Sequence, residues 1–251
     1  NGIIYGLIAL DCGNYDIPKP EKNYTGEVTT REKLVKTILN NQKSDGGWNF
    51  SGTKADTDMT AMAIQALAPY MSEERVKKAV DKAVDCLGEL QQSDGGYATS
   101  NVKNCESTAQ VLTAISTINV SVKDSRFIKN GNSVIDGLMK YYKNGGFSHA
   151  QGGMINQMST EQAMYALTAY YRNISGMNRL FDMSDGITYK SIEIKKADNS
   201  RENTESKNNK NNRSGNKNSK SSKTVKKINN TTTYYQEKTL PETTIKKSKK
   251  K

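Results

Sequence analysis

The feature that most constrains this chain is a short pattern that returns at a nearly fixed spacing. Gln42-Lys43-Ser44-Asp45-Gly46-Gly47-Trp48 is followed by Asp56-Thr57-Asp58-Met59-Thr60-Ala61. Gln91-Gln92-Ser93-Asp94-Gly95-Gly96-Tyr97 is followed by Glu106-Ser107-Thr108-Ala109. A more worn copy, Asn144-Gly145-Gly146-Phe147, precedes Glu161-Gln162-Ala163. Asp45 and Asp94 are 49 residues apart, and Asp94 and Asn144 are 50 apart. A period of this size marks a supersecondary unit that cannot bury its own apolar face and must stack on its neighbours.

The apolar spacing says what the unit is. Leu34, Val35, Ile38 and Leu39 form one face of a helix over 31–41, with Thr30 as its cap. Met59, Ala61, Met62, Ala63, Ile64, Ala66, Leu67 and Ala68 make the helix from about Thr57 apolar most of the way round, as expected of a helix packed between neighbours. The next helix is amphipathic, with Val76, Val80, Ala83, Leu87 and Leu90 inward, and Ser72 is its expected cap. Buried helices recur at about 106–118 and 160–172, and an outer one at about 132–142. Two alternating classes of helix, one mostly buried, close naturally into inner helices surrounded by outer ones. The fold class read from the sequence is therefore all-α, a double ring of stacked helical hairpins with about seven helices. The apolar run Gly2–Leu10 reads as the interior of another buried helix, so further hairpins are expected upstream.

Charge separates two regions. The chain of 251 residues carries a formal net charge of +11. Residues 190–251 hold eighteen Lys and Arg against six Asp and Glu, whereas residues 1–189 hold nineteen against twenty. The repeat region (1–189) is thus nearly neutral, and its chemistry gives no ground for nucleic-acid binding. The tail (190–251), rich in Lys, Asn and Ser, cannot bury enough apolar surface to offset chain entropy and is expected to be disordered, with its charge free to contact anionic surfaces. Three cysteines (Cys12, Cys86, Cys105) and one histidine (His149), without a Cys-x-x-Cys or His-x-x-x-His pair, predict buried free thiols, no metal site and no cofactor.

The motif Gln-x-x-Asp-Gly-Gly-Trp before small-residue helices resembles the repeat of squalene and terpene cyclases and of protein prenyltransferase β subunits. That resemblance covers roughly residues 1–183 and implies an α/α toroid, here a partial α/α toroid because only about seven helices are present. The wording of Asp58–Tyr70, of Arg126-Phe127-Ile128-Lys129-Asn130-Gly131 and of Ala169-Tyr170-Tyr171-Arg172 is similar to prenyltransferase-repeat domains of clostridial and related Gram-positive surface proteins. It implies an extracellular, cell-surface location and a ligand in the cell wall or a small molecule. Leu240-Pro241-Glu242-Thr243-Thr244 resembles a sortase signal with Thr244 in place of its glycine.

Two functional expectations follow. Asp56-Thr57-Asp58-Met59-Thr60-Ala61 resembles the acid motif of class II cyclases, which makes Asp58 the candidate general acid and Asp56 its supporting carboxylate. Met59 replaces the third acid, and one Trp with four Phe is thin provision for a carbocation cavity. Against this, Asp58, Glu106 and Glu161 align as equivalent acids in the first turn of a buried helix, where the macrodipole favours them. A catalytic acid is needed once, not three times. The favoured reading is a non-catalytic toroid domain for adhesion or ligand binding, with Glu106 and Glu161 as candidate ligand-binding residues. Gln42, Asp45, Gly46, Gly47, Trp48, Gln91, Asp94, Gly95, Gly96, Tyr97, Gly145, Gly146 and Phe147 form its structural motif. Nothing matches the zinc-ligand pattern of the prenyltransferases, Cys105 and His149 included, and the thioester segment of complement-type toroids is absent.

Overall fold

The computed structural model describes residues 2–182, 184–186, 188–189 and 238–239. It divides into a unit of Asn1–Gly186 and a unit of Ile187–Lys251. The expected tail disorder and the sortase-like segment fall outside the described residues, Lys238 and Thr239 excepted.

The first unit is all-α, a partial α/α toroid. Its helices are α1 (Gly2–Cys12), α2 (Arg31–Asn40), α3 (Thr57–Leu67), α4 (Glu74–Leu90), α5 (Cys105–Thr117), α6 (Val134–Met139) and α7 (Gln157–Ile174). Short antiparallel pairs join them: β1 (Tyr97–Thr99) with β2 (Val102–Asn104), and β3 (Tyr142–Lys143) with β4 (Gly146–Phe147). In the second unit β5 (Thr188–Tyr189) pairs with β6 (Lys238–Thr239). Helices α1, α3, α5 and α7 pack in succession as the inner layer, while α2, α4 and α6 lie against α1, α3 and α5 respectively. The inner layer is the core: twelve of the thirteen residues of α5 are buried, and only Glu106 is half-buried.

Each turn is bolted to the inner helix that follows it. The backbone N–H of Trp48 donates to Thr60 Oγ1 (2.9 Å), that of Tyr97 to Thr108 Oγ1 (3.0 Å), and that of Phe147 to Thr160 Oγ1 (2.9 Å). The aromatic side chains reach the other way, to the outer helices. Trp48 Nε1 donates to Ile38 O (2.6 Å) and Tyr97 OH to Leu87 O (3.0 Å). The glutamines tie each turn to the next structural unit, Gln42 Nε2 to Gly46 O and Ala79 O and Gln91 Nε2 to Gly95 O and Phe127 O. The glutamine thus joins adjacent hairpins, while the aromatic is bonded within its own.

The third copy of the turn differs in kind. In the first two, a loop closes between Lys43 and Gly47 and between Gln92 and Gly96, with Gly46 at φ 91° and Gly95 at φ 84°. A Cβ on Gly95 would sit 2.2 Å from Ser133 O, so this glycine admits the next outer segment. The third is a two-residue hairpin, Asn144 (φ 48°) and Gly145 (φ 88°), with open space around Gly145. Two positive φ values in succession suit the twist of paired strands, and Asn-Gly supplies them.

Several boundaries differ from expectation. Ser72 does not cap α4; Glu73 occupies that place, without a side-chain cap bond, because a 3₁₀ turn over Ala68–Tyr70 carries the chain further before the helix begins. The third outer helix is only Val134–Met139, cut short where Tyr142 enters β3. Helix α7 starts at Gln157 rather than Thr160, since Asn156 Oδ1 takes the N–H of Ser159 and caps it. Cys86 and Cys105 are buried, but Cys12, at the end of α1, is exposed.

Thr108→Val keeps shape but strands the buried N–H of Tyr97, and should cost about 1–3 kcal/mol in urea unfolding. Gly95→Ala combines positive φ with a backbone clash and should destabilise more than Gly145→Ala. The latter meets only conformational strain of about 1–2 kcal/mol. Equal melting temperatures for the two would contradict the turn geometry.

Candidate functional site on the inner helices

The threonine bolts set the true register of the repeats. With Thr60, Thr108 and Thr160 aligned, Asp56 matches Asn104 and Asn156, and all three are helix N-caps. Asp56 Oδ1 accepts from Met59 N–H (2.9 Å), Asn104 Oδ1 from Ser107 N–H (2.7 Å), and Asn156 Oδ1 from Ser159 N–H (2.9 Å). The candidate supporting carboxylate is therefore engaged in a job that two asparagines do equally well.

The same register corrects one alignment. Asp58 and Glu106 are equivalent, each the second residue of its helix, but the third member of the set is Met158. Glu161 lies three residues further on, exposed, in line with Ala61 and Ala109, which are fully buried. The sequence alignment slid because Glu-Gln-Ala in α7 imitates the acid-plus-small pattern found a turn earlier in α3 and α5.

Asp58 and Glu106 both reach toward the following repeat. Asp58 Oδ2 accepts from Thr99 Oγ1 on β1 (2.9 Å), whose hydroxyl also lies 2.9 Å from Ser107 Oγ of α5. Glu106 Oε1 accepts from Ser159 Oγ on α7 (2.5 Å), and its Oε2 meets His149 Nδ1 in the loop after β4 (2.8 Å). His149 also accepts the first N–H of α5, that of Cys105, on its backbone oxygen (3.0 Å). The acids are clasps between neighbouring hairpins.

Burial raises the Asp58 carboxyl above the ordinary carboxylate range; nearby Asp56 and Glu106 push it the same way, and the hydroxyls of Ser107 and Thr99 pull it back. Its Oδ1 is buried without a hydrogen-bond partner. The neighbouring Cys105 thiol is pushed up to about 12 by burial and by Glu106, which makes it a poor nucleophile.

Further along the inner helices runs a row of neutral polar groups absent from the sequence reading. Gln65 Nε2 donates to Gln110 Oε1 (3.0 Å), and Gln110 Nε2 donates to Gln162 Oε1 (3.2 Å) and to Tyr165 OH. Burial raises the phenols of Tyr5 and Tyr165. Gln65 and Gln110 are buried amides on helices whose other buried polar side chains are short hydroxyls, and that difference was the signal available in the sequence. Trp48, Tyr97 and Phe147 are buried in the core, the first two with their ring N–H and hydroxyl bound to outer-helix carbonyls. They do not join this row. Among the described residues no three His, Cys, Asp or Glu side chains converge as a metal site.

The chain matches no protein-family model and no curated protein sequence. Among solved structures it is similar to Candida albicans protein geranylgeranyltransferase-I complexed with GGPP, at 16% identity and a TM-score of 0.49. The match covers 72% of this chain and 52% of that one, so the chain spans about half the length of that protein.

The role of each acid can be read from stability. Asp56→Asn should leave stability nearly unchanged, while Asp56→Ala should lose about 1 kcal/mol. For Asp58 the folded pKa is raised, so its charge opposes folding above that pKa and the penalty is relieved as pH falls through it. Asp58→Asn should therefore stabilise the protein near neutral pH and lose that advantage in mild acid. Urea unfolding at the two pH values measures the difference.

Proposed function

We propose that this chain is a non-catalytic α/α-toroid repeat domain that acts by binding. The observation that carries the reading is that both candidate catalytic acids repeat the duties of residues elsewhere in the stack. Asp56 caps α3 as Asn104 and Asn156 cap α5 and α7, and Asp58 clasps the next hairpin as Glu106 does. At the less buried end of the amide row, Gln162 and Tyr165 offer an amide and a phenol suited to hydrogen-bonding a polar ligand, held in place by the buried Gln110. The resemblance in the repeat motif supports an exported, Gram-positive cell-surface setting, in which the ligand is a wall component or a small molecule. The basic tail is suited to lie against anionic surfaces.

One observation favours the alternative, a class II cyclase-like isoprenoid enzyme. Asp58 is held in surroundings that favour its protonated form, which a general acid requires. Its neighbours, however, give it Thr99 as a hydrogen-bond donor, an interaction that stabilises the charged form instead.

The two readings part on turnover. The full chain, incubated with squalene or with a prenyl diphosphate, should give no cyclised or transferred product, and Asp58→Asn should behave identically. Product formed by the parent and lost in Asp58→Asn would establish the enzyme reading. For binding, Gln110→Ala should weaken a polar ligand about tenfold or more by breaking the amide row, measured by calorimetry against wall fragments.

A further inference from the structure

Between the aromatic of each turn and the cap of the following inner helix lies one loop: 49–55, 98–103 and 148–155. All three project from the same end of the stack. Thr57 Oγ1, at the start of α3, donates to Ala98 O in the second loop (2.9 Å), and the first N–H of α5 donates to His149 O in the third (3.0 Å). Helices α5 and α7 run parallel, since Glu106 meets Ser159 near their starts and Asn119 meets Asn173 near their ends (2.6 Å).

Each loop holds out a large apolar residue that packing does not use. Phe50 is 80% exposed, Val102 55% and Met154 89%, and Ile155 stands beside Met154. Single exposed apolar residues are ordinary on protein surfaces. One in every repeat loop, all at one end, is a pattern. The charges around them are sorted as well. Lys54, Lys103 and Lys143 are exposed. The acids of the same stretches, Asp45, Asp56, Asp94 and Glu106, are half-buried, and each has at least one partner inside the fold. These partners are the N–H groups of Ala55, Met59 and Gly96 and the hydroxyl of Ser159. Lys103 is bonded to Asp94 and His149 to Glu106, while Lys54 and Lys143 have no acidic partner among the described residues. The exposed acids Glu89 and Glu161 stand on the helices behind the loops.

We propose that these three loops form a surface that docks on an anionic lipid bilayer. Phe50, Val102 and Met154 enter the boundary between headgroups and acyl chains, and the lysines meet the anionic headgroups. Apolar tips ringed by cations fit a lipid surface because the two attractions act at different depths, hydrocarbon for the side chains and headgroup for the ammonium groups. A soluble anionic polymer would attract the lysines and leave the tips without a partner.

The test is co-sedimentation of the full chain with vesicles of phosphatidylcholine alone and of phosphatidylcholine with one third phosphatidylglycerol. Binding is expected to the anionic vesicles and to be far weaker to the neutral ones. Phe50→Ser with Met154→Ser should lower the affinity about tenfold or more per side chain withdrawn from the bilayer. Lys54→Glu with Lys143→Glu should lower it too, and Met177→Ser, beyond the end of α7, should leave it unchanged. The substituted side chains are exposed, and unaltered thermal unfolding confirms that each variant is folded. Equal binding by the Phe50/Met154 variant would assign the interaction to the basic tail and overturn the proposal. So would equal binding to neutral vesicles, or binding to an anionic wall polymer with none to vesicles.

Discussion

The bond from an aromatic residue's backbone N–H to a threonine hydroxyl is the contact on which the rest of the stack depends. A turn that joins an outer helix to an inner one leaves backbone groups inside the protein, and each must find a partner. Thr60, Thr108 and Thr160 accept that N–H from the first full turn of the inner helix and donate back to nearby carbonyls. The bond fixes the turn against the helix. That placement lets Trp48 and Tyr97 reach the outer-helix carbonyls and lets Gln42 and Gln91 reach the following unit. Lose the hydroxyl and the aromatic, the glutamine and the glycine pair all lose their reference point.

Polar groups among buried helices are costly unless they are satisfied, and the inner layer satisfies them by reaching across repeats. Asp58 and Glu106 spend their oxygens on the next hairpin, so the acids sew the stack in one direction. The cost is visible in the raised Asp58 carboxyl and its unpartnered Oδ1. The Gln65–Gln110–Gln162 row crosses α3, α5 and α7 without charge. A layer with both elements is specific in register and polar along part of its length.

Much of the architecture was legible because repetition multiplies a weak signal. Alternation of an all-round apolar helix with an amphipathic one gave the two layers, and Thr30 was recognisable as a cap. The site was read less well, for a physical reason. In a helix, a three-residue slip keeps nearly the same face, so Glu161 passed for an equivalent of Asp58 on pattern alone. Only the bond to Thr160 shows that Met158 holds that place. Likewise Ser72 looked like a better cap than Glu73, but the 3₁₀ turn before α4 decided where the helix could begin. The clasp partners Thr99, Ser159 and His149 lie in loops or in the next helix, separated from their acids by 41, 53 and 43 residues.

By itself the sequence determined the unit, its period and its need for neighbours, because apolar spacing and paired glycines act locally and report on local geometry. It also located the excess charge in the last quarter of the chain. What only the tertiary structure decided is what each acid does. Asp56 and Asp58 are two residues apart in one motif and look like partners. In the folded chain one caps its own helix and the other holds the next repeat. That division depends on which groups stacking brings within hydrogen-bond distance, and spacing along the chain does not encode it.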